Sequence, residues 1–153
     1  MQEGETHPPV QKVAIYARVS SAEQKTNLER QAERLLQYCE ARGYPVAQVI
    51  KEIASGVNES RPKLLSLLKD TSITHIVVEH KDRLTRFGFR YLETLLEAQR
   101  RTIEVVHVAE NDKEDVIADL GAIVYSFMAR LYGQRSAKRK TEALVEQLKQ
   151  EDR

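Results

Sequence analysis

An apolar run passes into a polar turn in the stretch Val13-Ala14-Ile15-Tyr16-Ala17-Arg18-Val19-Ser20-Ser21. Its small and β-branched residues are typical of a strand that is buried on both faces of a parallel sheet. The strand ends where Ser20 emerges, beside the fixed positive charge of Arg18. A serine in this place is commonly only the N-cap of the next helix. A hydroxyl beside an arginine can also attack a phosphodiester, and the rest of the chain has to decide between the two interpretations.

Short β-branched runs alternate with helix-period stretches after this strand. Strands are predicted at 12–19, 46–53, 74–79 and 103–108, and helices at about 26–42, 62–70 and 88–101. The inward face of the first helix is predicted to carry Leu28, Leu35, Leu36 and Cys39. This order is typical of parallel strands that are joined by crossover helices. We therefore predict an α/β fold with a small, mainly parallel sheet of about four or five strands flanked by helices.

The C-terminal part of the chain has a different pattern. From about Lys113 to Gln150 there is no proline, and apolar residues keep a helical rhythm. We predict one long helix at 113–150, roughly 50 Å long, which is more than a four-stranded domain can cover. Apolar residues on a protruding helix need a partner, so we expect oligomerisation through the stretch from Ile123 to Leu131. A helix that folds back along the sheet is the alternative. The predicted organisation is a tail or linker at 1–11, a core at 12–112 and this helix.

Composition limits the classes of function. With 153 residues and 41% apolar content, the chain can form one domain with its own core. A net charge of +1 argues against a uniformly basic nucleic-acid coat, so any DNA contact must come from local clusters. Cys39 is the only cysteine, which excludes a disulfide framework and fits a core residue in a reducing cytosol. The histidine spacings do not suggest a zinc site, and no stretch is long and apolar enough for a membrane span, which favours a cytoplasmic protein.

Basic residues follow three of the predicted strands. Since ligands of open α/β sheets bind at the carboxyl ends of the strands, these residues should meet at one edge. They lie in Arg18 to Ser20, in Ala54-Ser55-Gly56 with the loop that ends at Arg61, and in Lys81-Asp82-Arg83-Leu84-Thr85-Arg86. Arginines bind phosphate bidentately, so four of them around one serine would neutralise a scissile phosphate. Asp82 could transfer a proton or hold an arginine in place, and a solvated surface loop is the alternative for its whole segment.

Together these segments resemble the serine recombinases, which include resolvases, invertases and the serine transposases of certain insertion sequences. The stretch from Tyr16 to Ser20 is similar to the nucleophile segment of the family, and Gln24 and Gln31 are similar to the glutamines that follow it. Ala54-Ser55-Gly56 with Arg61 resembles the second motif, and Asp82-Arg83-Leu84-Thr85-Arg86 resembles the third. The resemblance covers roughly residues 12 to 150. The insertion-sequence branch, in which a winged-helix module precedes the catalytic domain, is the more similar one.

The resemblance implies a catalytic domain that cuts and rejoins DNA through a covalent 5′-phosphoserine intermediate, without metal or nucleotide cofactor. It also implies DNA partners, namely transposon ends and target, and an active tetramer that is assembled from dimers through the long helix. The catalytic residues would be Ser20, Arg18, Arg61, Asp82, Arg83 and Arg86. Supporting roles would fall to Tyr16, Gln24, Gln31, Ser55 and Arg135.

Two features depart from the resolvase pattern. Many resolvases carry a glutamate-arginine pair in the long helix, whereas this chain reads Ala129-Arg130-Leu131-Tyr132-Gly133-Gln134-Arg135-Ser136, so Arg135 is only a candidate. Gly133 inside a helix would cost roughly 1 kcal/mol relative to alanine, which suggests a packing or hinge role. Second, the chain ends at Arg153, too soon for a helix-turn-helix, and Met1 to Gln11 looks like what remains of a removed module. We therefore expect a catalytic fragment, or a form without its DNA reader.

A basic stretch without acidic residues extends from Arg130 to Thr141. It could contact DNA phosphates, and a solvated helix face is the alternative. The residues predicted to bind DNA here are Arg130, Lys138, Arg139 and Lys140. Two other classes remain to be tested: a noncatalytic regulatory or DNA-binding partner with the same fold, and a small-molecule phosphate enzyme. The presence of Ser20 with all four arginines argues against the first, and the lack of a glycine-rich phosphate loop argues against the second.

Overall fold

The computed structural model describes residues 10–107 and 113–151, and the chain divides into two compact units, Met1–Glu110 and Asn111–Arg153. The strands of the first unit are β1 (Val13–Val19), β2 (Val46–Ile53), β3 (His75–Val78) and β4 (Thr102–Val105). Its helices are α1 (Lys25–Ala41), α2 (Pro62–Lys69), α3 (Lys81–Leu84) and α4 (Phe89–Ala98), with a 3-10 turn at Ala22–Gln24. The second unit contains α5 (Lys113–Tyr132) and α6 (Gln134–Glu151).

The described strands form one parallel sheet in the order β2-β1-β3-β4. Strand β1 lies between two neighbours, and all seven of its residues are buried, as its continuous apolar run predicts. The α/β prediction with four parallel strands is therefore confirmed. Observed and predicted strands agree closely, although Val108, at the end of the last predicted strand, lies outside the described residues.

Alternate residues of β1 face two separate cores. Val13 and Ile15 pack with Leu35 and Cys39 of α1. Ala14 and Tyr16 face the opposite side, where the cluster also contains Leu64, Leu67, Ile73, Ile76, Val78, Leu84, Leu96 and Ile103. Helices thus cover both faces of the sheet, which leaves the ends of the strands as the place where polar side chains can converge.

The predicted inward face of α1 agrees with the structure. Leu28, Leu35 and Cys39 are buried, and Leu36 packs against the same cluster as Leu35. Burial raises the pKa of the Cys39 thiol to about 11, so this thiol stays protonated at neutral pH. Cys39 therefore has the environment of an inert core residue.

The prediction of a single helix at 113–150 is wrong. Two helices occupy this region, α5 with 20 residues and α6 with 18, and Gly133 separates them. Gly133 has a φ of +87°, in the left-handed region that glycine adopts without the penalty of a side chain. By the rise of an α-helix, these helices are only about 30 and 27 Å long.

Gly121 of α5 leaves room for side chains of α6 to pack closely against it. A Cβ atom placed on Gly121 would lie 3.1 Å from Val145 Cγ2 and 3.9 Å from Thr141 Cγ2. Gly121 and Val145 are equally far from Gly133 in the sequence, so the two helices are antiparallel. The apolar rhythm of α5 therefore serves in part to pack a helical hairpin, which a reading of the sequence as one helix does not foresee.

Large apolar side chains nevertheless stay exposed in this hairpin. Phe127 is 63% exposed, Leu131 70% and Tyr132 59%. In the parts of the chain that the structure describes, no helix has the length and apolar character needed to cross a membrane. Oligomerisation through the stretch from Ile123 to Leu131 remains a prediction, now for the end of α5 rather than for one continuous helix.

Candidate active site

Arg18 is the centre of the candidate site, and its side chain is fully buried at the carboxyl end of β1. Its Nη1 donates to Ser20 Oγ at 2.8 Å and to the carbonyl of Ala54, after β2, at 3.0 Å. Nε and Nη2 donate to the carbonyls of Arg83, at 2.9 Å, and Asp82, at 2.6 Å, in the segment after β3. One guanidinium thus joins the ends of three strands and holds the serine hydroxyl.

Ser20 does not cap the helix that follows it. Ser21 precedes the 3-10 turn at Ala22–Gln24, and Gln24 precedes α1. Ser20 is partly exposed, and its hydroxyl accepts the hydrogen bond from Arg18. The N-cap interpretation is therefore excluded for Ser20, whose side chain belongs to the arginine network.

Gln31 holds the backbone of Arg18 from α1. Its Oε1 accepts from the Arg18 N–H at 3.0 Å, and its Nε2 donates to the Arg18 carbonyl at 3.1 Å. The Gln31 amide therefore satisfies both backbone polar groups of Arg18, as the backbone of a paired strand would. Gln24 is also buried, in the turn between Ser20 and α1. Both glutamines lie beside the serine-bearing end of the strand.

The segment after β3 carries Asp82, Arg83 and Arg86. Asp82 Oδ2 accepts from Arg86 Nη1 at 2.9 Å, and Arg83 is buried in the short helix α3. The Arg86 N–H donates to the carbonyl of Gly56 at 3.0 Å, which ties this segment to the loop after β2. Asp82 and Arg86 are ordered by each other rather than dispersed on the surface, so a plain solvated loop does not describe this segment.

Arg61 belongs to a second network, on the α2 side of the sheet. Its Nη1 donates to Tyr16 Oη at 3.1 Å, and its Nε donates to the carbonyl of Asn58 at 3.0 Å. The Tyr16 hydroxyl in turn donates to Glu52 Oε1 at 2.7 Å. Burial raises the pKa of Tyr16 far above its usual range, and this effect outweighs the opposing charge of Arg61. Tyr16 is therefore a neutral phenol that orients Arg61.

Glu52 is a site residue that reasoning from the sequence missed. It is buried at the carboxyl end of β2, and its carboxylate accepts from the main-chain N–H groups of Lys63 and Leu64, at 2.9 and 3.1 Å. These are free donors of the first turn of α2, where a negative charge also complements the helix dipole. The available signal was an acidic residue at the carboxyl end of the predicted strand 46–53, because ligands of open α/β sheets bind at this end of the strands.

The remaining predicted residues lie in two places. Ser55 is in the loop after β2, where its Oγ accepts from the Val57 N–H at 3.2 Å. The other five belong to the second unit, where all are exposed: Arg130 at the end of α5, and Arg135, Lys138, Arg139 and Lys140 on α6. Lys140 Nζ lies 4.9 Å from the ring centroid of Tyr132. The predicted DNA-binding stretch is thus divided between two helices, and the roles of these residues stay predictions.

The described residues contain no group of three or more histidine, cysteine, aspartate or glutamate side chains placed to hold a metal ion. The positive charge that the structure places beside Ser20 is the guanidinium group of Arg18, and such groups stay protonated at every working pH. The site therefore consists of a hydroxyl, one fully buried arginine in contact with it, and further arginines held nearby by the same loops.

Fold and site together define a class: a parallel α/β domain that presents a serine among arginines at the carboxyl edge of its sheet. Comparison with known families agrees, because the family described as "Resolvase, N terminal domain" matches residues 13–153. The chain belongs to this family, the serine recombinases. The expected resemblance is therefore confirmed.

Solved structures show the same relationship. The C-terminal catalytic domain of ISC1926 TnpA, an IS607-like serine recombinase, is 43% identical with a TM-score of 0.73, over 92% of this chain and 97% of that chain. The corresponding domain of IS1535 TnpA, also IS607-like, is 39% identical with a TM-score of 0.77, over 90% and 98%. These similarities agree with the expected insertion-sequence branch and with a catalytic-domain fold.

A curated relative is longer than this chain. An uncharacterised protein of Mycobacterium bovis is 40% identical over 126 residues, which are 82% of this chain and 42% of that protein. The chain thus spans less than half the length of this relative.

Proposed function

We propose that this chain is the catalytic domain of a serine recombinase-type transposase, with Ser20 as the nucleophile. The observation that carries the proposal is the 2.8 Å hydrogen bond from Arg18 Nη1 to Ser20 Oγ, made by a buried guanidinium that also bonds to the segments after β2 and β3. A cation in this position stabilises negative charge on the attacking oxygen and on the phosphoryl oxygens of the transition state.

The proposed reaction is a phosphodiester exchange. Ser20 Oγ forms a bond to phosphorus while the bond from phosphorus to the 3′ oxygen breaks, and a proton moves to that oxygen to give a 3′-hydroxyl. The DNA 5′ end stays attached as a phosphoserine. Attack of a 3′-hydroxyl on this ester reverses the step and rejoins the strands. One phosphodiester replaces another, so no nucleotide cofactor is required, and arginines take the electrostatic role that metal ions have in other phosphoryl transfers.

The arginines have distinct proposed roles. Arg18 contacts the nucleophile, and Arg83 and Arg86 bind the phosphoryl oxygens, with Asp82 holding Arg86 through its 2.9 Å ion pair. This contact favours a holding role for Asp82 over proton transfer. Arg61 acts from the second network, in which Tyr16 and Glu52 orient it. The neutral state of Tyr16 supports this role, because a phenol with a raised pKa keeps its proton and is a poor proton donor.

DNA is the proposed substrate, as transposon ends and target, and the proposed active form is a tetramer assembled from dimers. The exposed basic residues of α6 would contact phosphates, and Arg135 would complete the site. The exposed Phe127, Leu131 and Tyr132 support association of copies through the end of α5. Specific sequence recognition is assigned to a separate DNA-binding module, since phosphate contacts alone carry no sequence information.

The test is a trapping assay for the covalent adduct. The chain, joined to a DNA-binding module, is incubated with supercoiled DNA that carries element ends and analysed on a denaturing gel, with excess chelator present. Ser20→Ala is compared with Ser21→Ala, which removes the neighbouring hydroxyl. We expect an adduct with the wild type and with Ser21→Ala, and none with Ser20→Ala.

The other outcomes are equally informative. An adduct that survives Ser20→Ala would assign the nucleophile elsewhere. Loss of the adduct on chelation would show that a metal ion takes part. DNA that is bound and bridged without any adduct, under every trapping condition, would favour the noncatalytic regulatory function over the enzyme.

A further inference from the structure

We infer that Arg34 and Glu79 form a positioning pair, which holds the arginine-bearing segment after β3 against the serine-bearing end of β1. This inference rests on the proposed function of Ser20. Neither residue lies in a motif that the sequence analysis selected, and their contact joins α1 to the residue that follows β3.

The geometry of the pair is bidentate. Arg34 Nε donates to Glu79 Oε2 at 2.7 Å, and Arg34 Nη2 donates to Glu79 Oε1 at 3.0 Å. The Glu79 side chain is 3% exposed and that of Arg34 54%. Because a buried carboxylate is costly without a charged partner, Glu79 depends on this guanidinium much more than an exposed acid would. The two parallel hydrogen bonds also fix the direction of approach, which a single contact would not.

The same face of α1 holds the neighbouring strand. Gln31 lies three residues before Arg34, so the two side chains project from adjacent turns of one helix face. Gln31 bonds to both main-chain polar groups of Arg18 at the end of β1. Helix α1 therefore contacts the carboxyl ends of two paired strands. It holds β1 through the Gln31 amide and the residue after β3 through the Arg34–Glu79 ion pair.

The backbone of Glu79 is also held by a hydrogen bond, and the arginine-bearing segment starts directly after this residue. The Glu79 carbonyl accepts from the His107 N–H at 2.7 Å, while the carbonyl of His80 accepts from the Arg83 N–H at 3.0 Å. The carbonyls of Asp82 and Arg83 then receive the guanidinium of Arg18. A shift of Glu79 would consequently move two acceptors of Arg18 and disturb its hydrogen bond to Ser20.

The structure offers a matched control for this pair. Lys51 Nζ and Glu29 Oε1 form an ion pair at 2.9 Å, which also joins α1 to a strand, in this case β2. Both partners are substantially exposed, and the contact is made away from the segment after β3. Arg34→Met and Lys51→Met each remove one ion pair that joins α1 to the sheet. Comparing the two variants therefore separates an effect on the segment after β3 from a general loosening of α1.

The primary test is the single-turnover rate of adduct formation at saturating DNA, measured with DNA affinity and thermal stability. We expect Arg34→Met to lower the rate roughly tenfold or more with unchanged affinity, since small displacements of reacting groups are costly. Arg34→Lys, which keeps the charge, should recover part of the rate. Lys51→Met should react like the wild type. Equal rates for Arg34→Met and the wild type, or an equal loss in Lys51→Met, would overturn the inference.

Hydrogen exchange supplies a readout that needs no DNA. The N–H groups of Arg83, Thr85 and Arg86 bond to the carbonyls of His80, Lys81 and Gly56. Arg34→Met and Glu79→Gln should each speed exchange at these three amides, while the amides of β2 keep their protection. If the wild type forms no adduct, the proposed function fails, and exchange still decides whether the pair orders the segment. Unchanged exchange at all three amides would show that the Arg34–Glu79 pair does not hold the segment after β3 in place.

Discussion

Two fully buried arginines lie at opposite edges of the same sheet, and only one of these two contacts a reactive group. Arg18 is 0% exposed at the carboxyl edge, and Arg101, just before β4, is 1% exposed at the amino edge. Arg101 donates to the carbonyls of Leu67, Leu68, Asp70 and Ile73, and to the Gln99 side chain. Those acceptors come mainly from the end of α2 and the turn after it, where a cation also complements the helix dipole.

The difference between the edges lies in their partners rather than in burial. Arg18 gathers carbonyls from segments after two separate strands and still contacts the Ser20 hydroxyl. Arg101 satisfies backbone acceptors alone, apart from one amide oxygen. A buried, fully bonded arginine is therefore no sign of a functional site by itself. The carboxyl edge becomes a site because loops from different strands meet there.

The largest effect should come from Arg18→Lys, which tests whether the carboxyl-edge arginine acts on the chemistry. Lysine keeps the charge but cannot reach three carbonyls and the serine hydroxyl together. We expect the adduct rate to fall about 100- to 1000-fold. The rate is measured in single turnover, and circular dichroism gives the folded fraction. If the adduct rate fell by no more than the unfolded fraction explains, Arg18 would have only a structural role, like Arg101.

Arg101→Met tests the opposite edge. The substitution leaves several carbonyls at the end of α2 without a donor, so we expect a loss of about 3 kcal/mol in the free energy of unfolding. Denaturant titration measures this, with Arg100→Met, at the exposed neighbouring position, as the control. The adduct rate per folded molecule should stay at the wild-type value. A rate that falls as it does for Arg18→Lys would contradict a purely structural role.

Alkaline stability compares Tyr16, whose hydroxyl bonds to Arg61 and Glu52, with Tyr38, which lies in the last turn of α1. Burial raises the pKa of both phenols, that of Tyr38 to about 12. An unfolded tyrosine loses its proton near pH 10, so each contributes stability that is complete below this pH. Above pH 10 the free energy of unfolding falls, by up to about 1.4 kcal/mol per pH unit for each tyrosine, until the pH reaches the pKa of the folded state.

We therefore expect Tyr16→Phe and Tyr38→Phe each to flatten the loss of stability between about pH 10 and 12. Urea titrations at several pH values measure the slope. At neutral pH only Tyr16→Phe should lower the adduct rate, because only it removes a partner of Arg61. An unchanged alkaline slope in both variants would show that other groups dominate this transition.

The smallest effect should come from Arg100→Gly, which changes only the turn at the amino edge. Arg100 has a φ of +60°, and its N–H and that of Arg101 close the end of α4 on the carbonyls of Glu97 and Leu96. Glycine adopts this conformation without strain, so stability should rise by about 0.5–1 kcal/mol with no change in adduct rate. Gly43→Ala, at the equivalent turn after α1, should destabilise the protein. Thermal denaturation compares the two, and a loss of stability in Arg100→Gly would refute the strain argument.

Local pattern predicted much of the first unit. The continuous apolar run of β1 and the alternation of short strands with amphipathic helices were sufficient for the parallel sheet, since burial on two faces demands such a composition. The motifs after β1, β2 and β3 were recognisable for the same reason, because strand ends are local in sequence. The family followed from these segments together.

The break at Gly133 was not predictable in the same way. The apolar rhythm continues close to this residue, and a glycine can either remain in a helix at a modest cost or end it in the left-handed region. The packing of Gly121 against Val145 of α6 stabilises the second choice. That contact joins residues far apart in the chain, so no local pattern contains it.

The sequence by itself determined the α/β class, the strands and the serine with the arginines that follow them, because these depend on local composition and on the position of strand ends. Only the tertiary structure decided which charges meet. It paired Glu52 with the start of α2, Arg34 with Glu79, and the fully buried Arg18 and Arg101 with their carbonyls. Buried charges need partners at hydrogen-bond distance, and the chain brings those partners together only when it folds.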